Sequence, residues 1–264
     1  MITRRVALVT GSGKRRVGWH VADALARRGY ALAVHYRTSA AEAAETIASL
    51  REHRADAFGF QADLTEESAV RSMVGGVLER FGRIDALVNG AGTSAVCSLE
   101  ELTDDDWQAQ WELHVMAPMR LMRAAAPVMA ERGWGRIVNV CSSSGKRPSG
   151  TNMAYSVTKA AELSLSRAFA DLFAARGVLV NSVSPGPVAG DLWLARGGLA
   201  DQSAQARGIS REEVLEATAS RQPIGRLGTE EEIAAVIVFL CSEPASNVAG
   251  ASWSVDGGAV PVII

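Results

Sequence analysis

A chain of 264 residues with 48% apolar side chains is long enough for one large α/β domain and carries enough hydrophobic material for a sizeable core. With 27 Lys and Arg against 29 Asp and Glu, the net charge of -2 gives no electrostatic footing for nucleic acid or an anionic membrane surface. The longest apolar run, 233–241, is far too short to span a bilayer, and the scattered Cys97, Cys141 and Cys241 lack metal or redox spacing, which leads us to expect a reduced cytoplasmic protein with no metal site.

No signal peptide is expected, because the start runs straight into a strand pattern over 5–10. A glycine-rich turn follows, then a helix over 17–28 that Gly29 stops. A strand at 30–36 leads to a helix at 40–53, and a strand at 57–61 to a helix at 66–81. The pattern continues with a strand at 86–89 and one long helix at 104–129, with Asp104 as its N-terminal cap. Next come a strand at 136–141, a helix at 154–176 and a strand at 178–184. After an irregular stretch, a helix at 230–240 and a strand at 252–255 close the series. Strands alternating with helices at this spacing predict a parallel sheet with helices on both faces, and the absence of a linker or repeat predicts one domain over 1–264.

The first strand opens into Thr10-Gly11-Ser12-Gly13-Lys14-Arg15-Arg16-Val17-Gly18. Glycine there lets backbone approach a pyrophosphate, and the following helix N-terminus offers amide donors and a positive dipole. The same composition also makes an ordinary tight turn, but its place directly after the first strand favours phosphate. The second strand ends in His35-Tyr36-Arg37-Thr38-Ser39, with no acid to hold a ribose 2′-hydroxyl. Arg37 can instead pair with a 2′-phosphate, Thr38 and Ser39 can donate to it, and Lys14 and Arg15 are within reach, which points to NADP(H).

Tyr155 and Lys159 stand one helical turn apart in a chain with only three Tyr and three Lys. An ammonium beside a phenol stabilises its anion, so such a Tyr can pass a proton to or from a carbonyl oxygen near neutral pH. The alternative is a solvated surface pair. Lys, unlike Arg, can join a proton relay.

Together these motifs resemble the short-chain dehydrogenase/reductases over nearly the whole chain. The likeness rests on Thr10-Gly11 with Gly18, Asp63-Leu64, Asn89-Gly90-Ala91-Gly92 and 137–142. It continues through Tyr155 with Lys159, 180–186 and 255–258. The resemblance implies a single-domain, doubly wound Rossmann fold with a seven-stranded parallel sheet. It implies hydride transfer between NADP(H) and a carbonyl or secondary alcohol, with Tyr155 as acid/base. Ser142, 13 residues before Tyr155, would orient the substrate oxygen, with Ser144 beside it. Lys159 would hold the nicotinamide ribose next to Tyr155. Gly11, Gly13, Arg16, Val17, Gly18, Tyr36, Asp63, Leu64, Asn89, Ala91 and Gly92 would line the adenosine and diphosphate side, and Pro185, Gly186 and Val188 would back the nicotinamide.

Departures from the pattern also carry information. The Lys-Arg-x-Gly loop and the His-Tyr-Arg strand end resemble pteridine reductases, although Ser142 stands where those carry Asp. His114 occupies the place of an Asn that in the family anchors a water beside the lysine; an imidazole titrating near pH 6.5 can carry that relay or simply pack between helices. Gly190 stands where a Thr often holds the carboxamide, which keeps open a cofactor-binding scaffold without turnover. The segment 187–223 is expected to form a lid over a small-molecule substrate, with Trp193 against it. The resemblance also implies a homotetramer or homodimer, with the apolar tail 259–264 at a subunit contact.

Overall fold

Seven short strands, the central ones rich in Val, Ile, Leu and Ala, pair into one parallel sheet. In this computed structural model, described over residues 4–261, the strands are β1 (Val6–Val9), β2 (Ala31–Tyr36), β3 (Ala57–Gln61), β4 (Ala86–Asn89), β5 (Gly135–Val140), β6 (Val178–Pro185) and β7 (Ser252–Val255). Their order is β3-β2-β1-β4-β5-β6-β7. In the centre, Leu8 lies beside Ala33 and Leu87, and Leu87 beside Ile137. Such strands are buried on both faces, which explains why they read as continuous apolar runs rather than as alternating ones.

One face is covered by α1 (Val17–Arg27), α2 (Ala40–Glu52) and α10 (Glu230–Leu240), whose Val21, Leu25, Leu50, Ile233 and Ile237 meet Val9, Val34 and Val88. The other is covered by α3 (Glu67–Phe81), α5 (Ala117–Glu131) and α6 (Met153–Phe173), which bring Val74, Leu121, Met122 and Ala170 onto Leu8, Leu87 and Ile137. The chain winds outward from β1 to β3, then returns to β4 on the other side of β1. Loops after β1 and β4 therefore diverge and open a crevice at the carboxyl ends of the strands.

The fold matches the expected sheet, with three local differences. The helix expected at 104–129 is divided: α4 (Asp104–Trp111) passes into a wide π turn at Glu112–Met116 before α5. Pro118 lacks an N–H, and its ring would press on the carbonyl four residues back. The turn relieves this by widening, and Ala117 N–H reaches Glu112 O, five residues back. The cap of α4 is Thr103 rather than Asp104; its hydroxyl accepts from Asp106 N–H while the Asp106 carboxylate accepts from Thr103 N–H. The stretch after β6 holds three short helices that composition did not announce, α7 (Asp191–Leu194), α8 (Leu199–Arg207) and α9 (Arg211–Ser220). The last three residues of the apolar tail, 262–264, fall outside the described residues. Among the described residues no helix is long and apolar enough to cross a membrane.

Ile137 is fully buried at the centre of β5, between the sheet and α5. Ile137→Ala should cost about 2–5 kcal/mol of stability by urea denaturation. A loss well below that range would mean that this face of the sheet is not the rigid layer described.

Candidate active site

Thr10, the first residue after β1, fastens the crevice. Its hydroxyl donates to Val88 O at 3.3 Å and accepts from Gly90 N–H and Ala91 N–H at 3.0 and 3.1 Å, tying the β1 and β4 loops together. Gly11 follows with φ +69°, a left-handed conformation, and a Cβ there would press on Ala91 at 3.0 Å. At Gly18 a Cβ would meet Gly11 O at 2.7 Å, so α1 seats on the turn only with glycine. Gly11 N–H donates to Nδ1 of His35 at 3.0 Å. The opposite nitrogen, Nε2, must therefore carry the proton it gives to Ala62 O at 3.1 Å. Burial pushes His35 below its ordinary range, which keeps this neutral tautomer in place. Sequence reading passed over His35, although a histidine inside the apolar run of β2 is the signal that marks it.

From this turn a continuous cavity of ≈ 520 Å³ runs along the strand ends. At one end lie Gly13, Lys14, Tyr36, Arg37, Ser39, Asp63 and Leu64. The middle passes Gly11, Arg16, Val17, Gly18 and 90–92. At the other end are 142–144, Tyr155, Lys159 and 185–188, under Leu192, Trp193 and Leu199. Two basic groups at the first end are already paired, Lys14 Nζ with Glu42 at 3.0 Å and Arg37 with Asp63 at 4.0 Å. Three expected contacts do not line the cavity. Arg15 lies over the Trp19 ring, 4.9 Å from its centroid. Asn89 is buried and turns its amide to Asn139 Oδ1 at 2.7 Å, a cross-strand bond between β4 and β5. Thr38 stands beyond the rim, leaving Ser39 as the lining hydroxyl.

At the far end β5 delivers Ser142, whose Oγ accepts from Ser144 N–H at 3.1 Å and so keeps its own proton free to donate. The serine turn sits directly on α6: a Cβ on Gly145 would be 2.8 Å from the Lys159 carbonyl. Tyr155 and Lys159 occupy successive turns of α6, with Lys159 Nζ 5.8 Å from the Tyr155 ring centroid. Lys159 is only 3% exposed. Its Nζ donates to Val140 O at 2.9 Å and to Glu162 Oε2 at 2.7 Å. Burial disfavours both charges and pushes the Glu162 carboxyl up, against the attraction of Lys159. For Lys159 burial is outweighed by the Glu162 carboxylate, so its pKa lies above the ordinary ammonium value. Glu162 was not among the residues expected from sequence; its signal is a Glu three residues after the lysine, on the face that turns inward.

His114 sits in the π turn, buried, with its ring edge-on to Tyr155 at 5.2 Å between centroids. Its Nε2 accepts from Thr93 N–H at 3.2 Å, so Nδ1 is the protonated side and faces Thr158 Oγ1 at 3.4 Å. Burial, then the Lys159 charge, push the imidazole well below its ordinary range, which corrects the expected titration near pH 6.5: the ring is neutral. No group of side chains among the described residues has the makings of a metal site.

A glycine-turned crevice at a parallel-sheet switch point, closed at one end by Ser, Tyr and Lys, defines the class of nucleotide-dependent oxidoreductases. A family model described as enoyl-(acyl carrier protein) reductase matches residues 12–260, and the chain belongs to the short-chain dehydrogenase/reductase family. It is 32% identical over 260 residues to a 3-oxoacyl-[acyl-carrier-protein] reductase of Synechocystis sp., with 98% of each chain covered. It is 35% identical to the short-chain reductase protein NovJ of Streptomyces niveus, over 96% of this chain and 93% of that protein. The crystal structure of L-sorbose reductase from Gluconobacter frateurii, complexed with NADPH and L-sorbose, superposes with a TM-score of 0.91 at 32% identity, covering 99% of this chain and 98% of that one.

Removing the Glu162 charge should show in proton transfer more than in folding alone. In Glu162→Gln, Lys159 keeps a hydrogen-bond acceptor but loses the nearby anion that holds its pKa up, so it should give up its proton at lower pH. The alkaline limb of the pH–rate profile for carbonyl reduction should move down by about one unit. An unmoved limb in a folded variant would make Glu162 a packing residue only.

Proposed function

We propose that the protein is an NADP(H)-dependent oxidoreductase that exchanges a hydride with a small ketone or secondary alcohol, with Tyr155 as general acid/base. The observation that carries this reading is one cavity with Ser142, Tyr155 and Lys159 at one end and Lys14, Arg37 and Ser39 at the other. The cradle suits the dinucleotide, since Val17 and Gly18, the first turn of α1, line the crevice where a diphosphate needs amide donors. When bound, the nicotinamide group supplies or accepts the hydride. As negative charge grows on a carbonyl oxygen, Tyr155 gives it a proton and Ser142 donates a second hydrogen bond. Lys159 has three donors, of which Val140 O and Glu162 take two, leaving one for the ribose hydroxyls. We place His114 as a neutral positioning residue that holds the Tyr155 ring edge-on and fixes Thr158.

The substrate end has two characters. Ser142, Ser144 and Asn152 make a polar wall, while Leu113, Leu192, Trp193 and Leu199 make an apolar one. That division suits a small ketone with one apolar flank, bound under 187–223 as a lid. The lid reading is supported by Gln202 of α8, which ties this segment to the loop after β4 by accepting from Val96 N–H at 2.9 Å. Assembly as a homotetramer or homodimer is supported by exposed apolar side chains on α4, α6 and α10, among them Trp111, Val157, Leu172 and Phe239.

Tyr155→Phe removes one hydroxyl and keeps the ring. Turnover of NADPH with a reactive diketone should fall by about 10²-fold or more while NADPH still binds. Undiminished turnover would assign the Tyr155–Lys159 pair a structural role.

Arg37→Asp puts a carboxylate where the 2′-phosphate is expected. The native protein should bind NADPH more tightly than NADH in fluorescence titrations, and the variant should lose or reverse that order. Equal binding of both cofactors by the native protein would remove the basis for NADP(H) choice.

A further inference from the structure

Gly190 is glycine for a reason its backbone does not supply. Its φ of -135° is open to any residue, yet a Cβ there would lie 2.2 Å from Glu230 Oε1 and 2.7 Å from Glu230 Cδ. The carboxyl of Glu230, at the start of α10, therefore fills the volume that a side chain at 190 would take, and Glu230 itself lines the cofactor crevice beside Gly18 and Arg16. We propose that Glu230 is a cofactor-contact residue that donates a hydrogen bond, as a neutral acid, to an oxygen of the dinucleotide's diphosphate–nicotinamide half, so that dinucleotide affinity falls as pH rises above neutrality. This rests on the dinucleotide-binding function proposed above.

The surroundings support it. The Glu230 side chain is only 14% exposed. On α7, Asp191 faces it; on α10, Glu231 does; on the glycine loop, Arg15 and Arg16 do; on α1, His20 Nε2 lies 3.4 Å from Glu230 Oε2. Arg16 is drawn toward Asp191, 4.0 Å away. His20 is itself pushed below its ordinary range by burial, against the nearby Glu231 charge. Burial, then the Asp191 and Glu231 charges, push Glu230 up to about 7, against Arg16 and Arg15. A dinucleotide adds further negative charge to this end of the crevice. That raises the proton affinity of Glu230 again, and by linkage the protonated form binds the dinucleotide more tightly.

NADPH dissociation constants measured by fluorescence between pH 6.5 and 8.5 test the proposal. For the native protein the constant should rise by about sixfold across this window, as a one-unit pKa increase on binding requires. Glu230→Gln keeps shape and donor but cannot ionise, and Gly190→Ala forces the Glu230 carboxyl out of its place; both should flatten the rise to less than about threefold. Titration of the cofactor's own phosphate is common to all three proteins and cancels in the comparison. The same slope in the native protein and Glu230→Gln would overturn the proposal. NADPH binding at no pH would overturn the dinucleotide-binding function, and this proposal with it, which is a different and distinguishable result.

Discussion

An ammonium group buried in the middle of an α/β protein governs the layout of the site. Lys159 is nearly sealed from water, and a charge in that position persists only if its donors are occupied and a counter-charge is close. Val140 O, the last carbonyl of β5, and Glu162, one turn further along α6, meet both needs. The pair therefore locks α6 onto the end of β5. Since β5 also delivers Ser142, and Gly145 lets the serine turn lie against the Lys159 backbone, Ser142, Tyr155 and Lys159 are oriented by contacts that exist before any ligand arrives. Deleting one partner of such a buried pair typically costs about 3–5 kcal/mol.

The opposite side of the crevice follows the same logic with neutral groups. Thr10 and His35 each bond to loop amides, Thr10 to the loop after β4 and His35 to the glycine turn. They take up backbone donors that would otherwise point into an apolar sheet end, and leave the amides at the start of α1 facing the crevice. His114 repeats the pattern at the other end: one ring nitrogen accepts from Thr93 N–H and the other faces Thr158. Neutral imidazoles suit these places because each offers one donor and one acceptor at fixed angles, and burial keeps them unprotonated.

Strands such as β1, β2 and β4 were legible in the sequence because burial on both faces leaves nearly unbroken apolar runs between turn residues. The glycine turn and the Tyr155–Lys159 pair were legible because their chemistry demands fixed residue types at fixed spacing. The π turn was not, since apolar periodicity runs on through it; only Pro118, placed to disturb the preceding turn, hints at it. Helices α7 to α9 are short, α8 and α9 are largely polar, and their clearest mark is the Ser210–Glu213 capping box. Arg15 and Asn89 show a different limit. Both adjoin residues that line the crevice, but side-chain direction depends on a neighbour, Trp19 in one case and Asn139 in the other, that spacing does not reveal. Glu162 and Glu230 were passed over for a related reason, because a buried acid gives no pattern of its own and becomes visible only through what it faces.

Every basic group that lines the cofactor end already has an acidic neighbour: Lys14 has Glu42, Arg37 has Asp63, and Arg16 has Asp191. These pairs are exposed, and such contacts are worth about 0–1 kcal/mol each. A phosphate that arrives here exchanges partners instead of meeting free cations. The exchange is still favourable, because hydrogen bonds to a charged phosphate are worth about 1.5–3 kcal/mol and an Arg fork can make two in parallel. The acids lower the affinity that three bare cations would have, but they also hold Lys14 and Arg37 at the rim in the absence of ligand, where long side chains would otherwise sample many rotamers. Binding at this end thus depends on how well the incoming group replaces a carboxylate, which a dianionic phosphate does and a neutral hydroxyl does not.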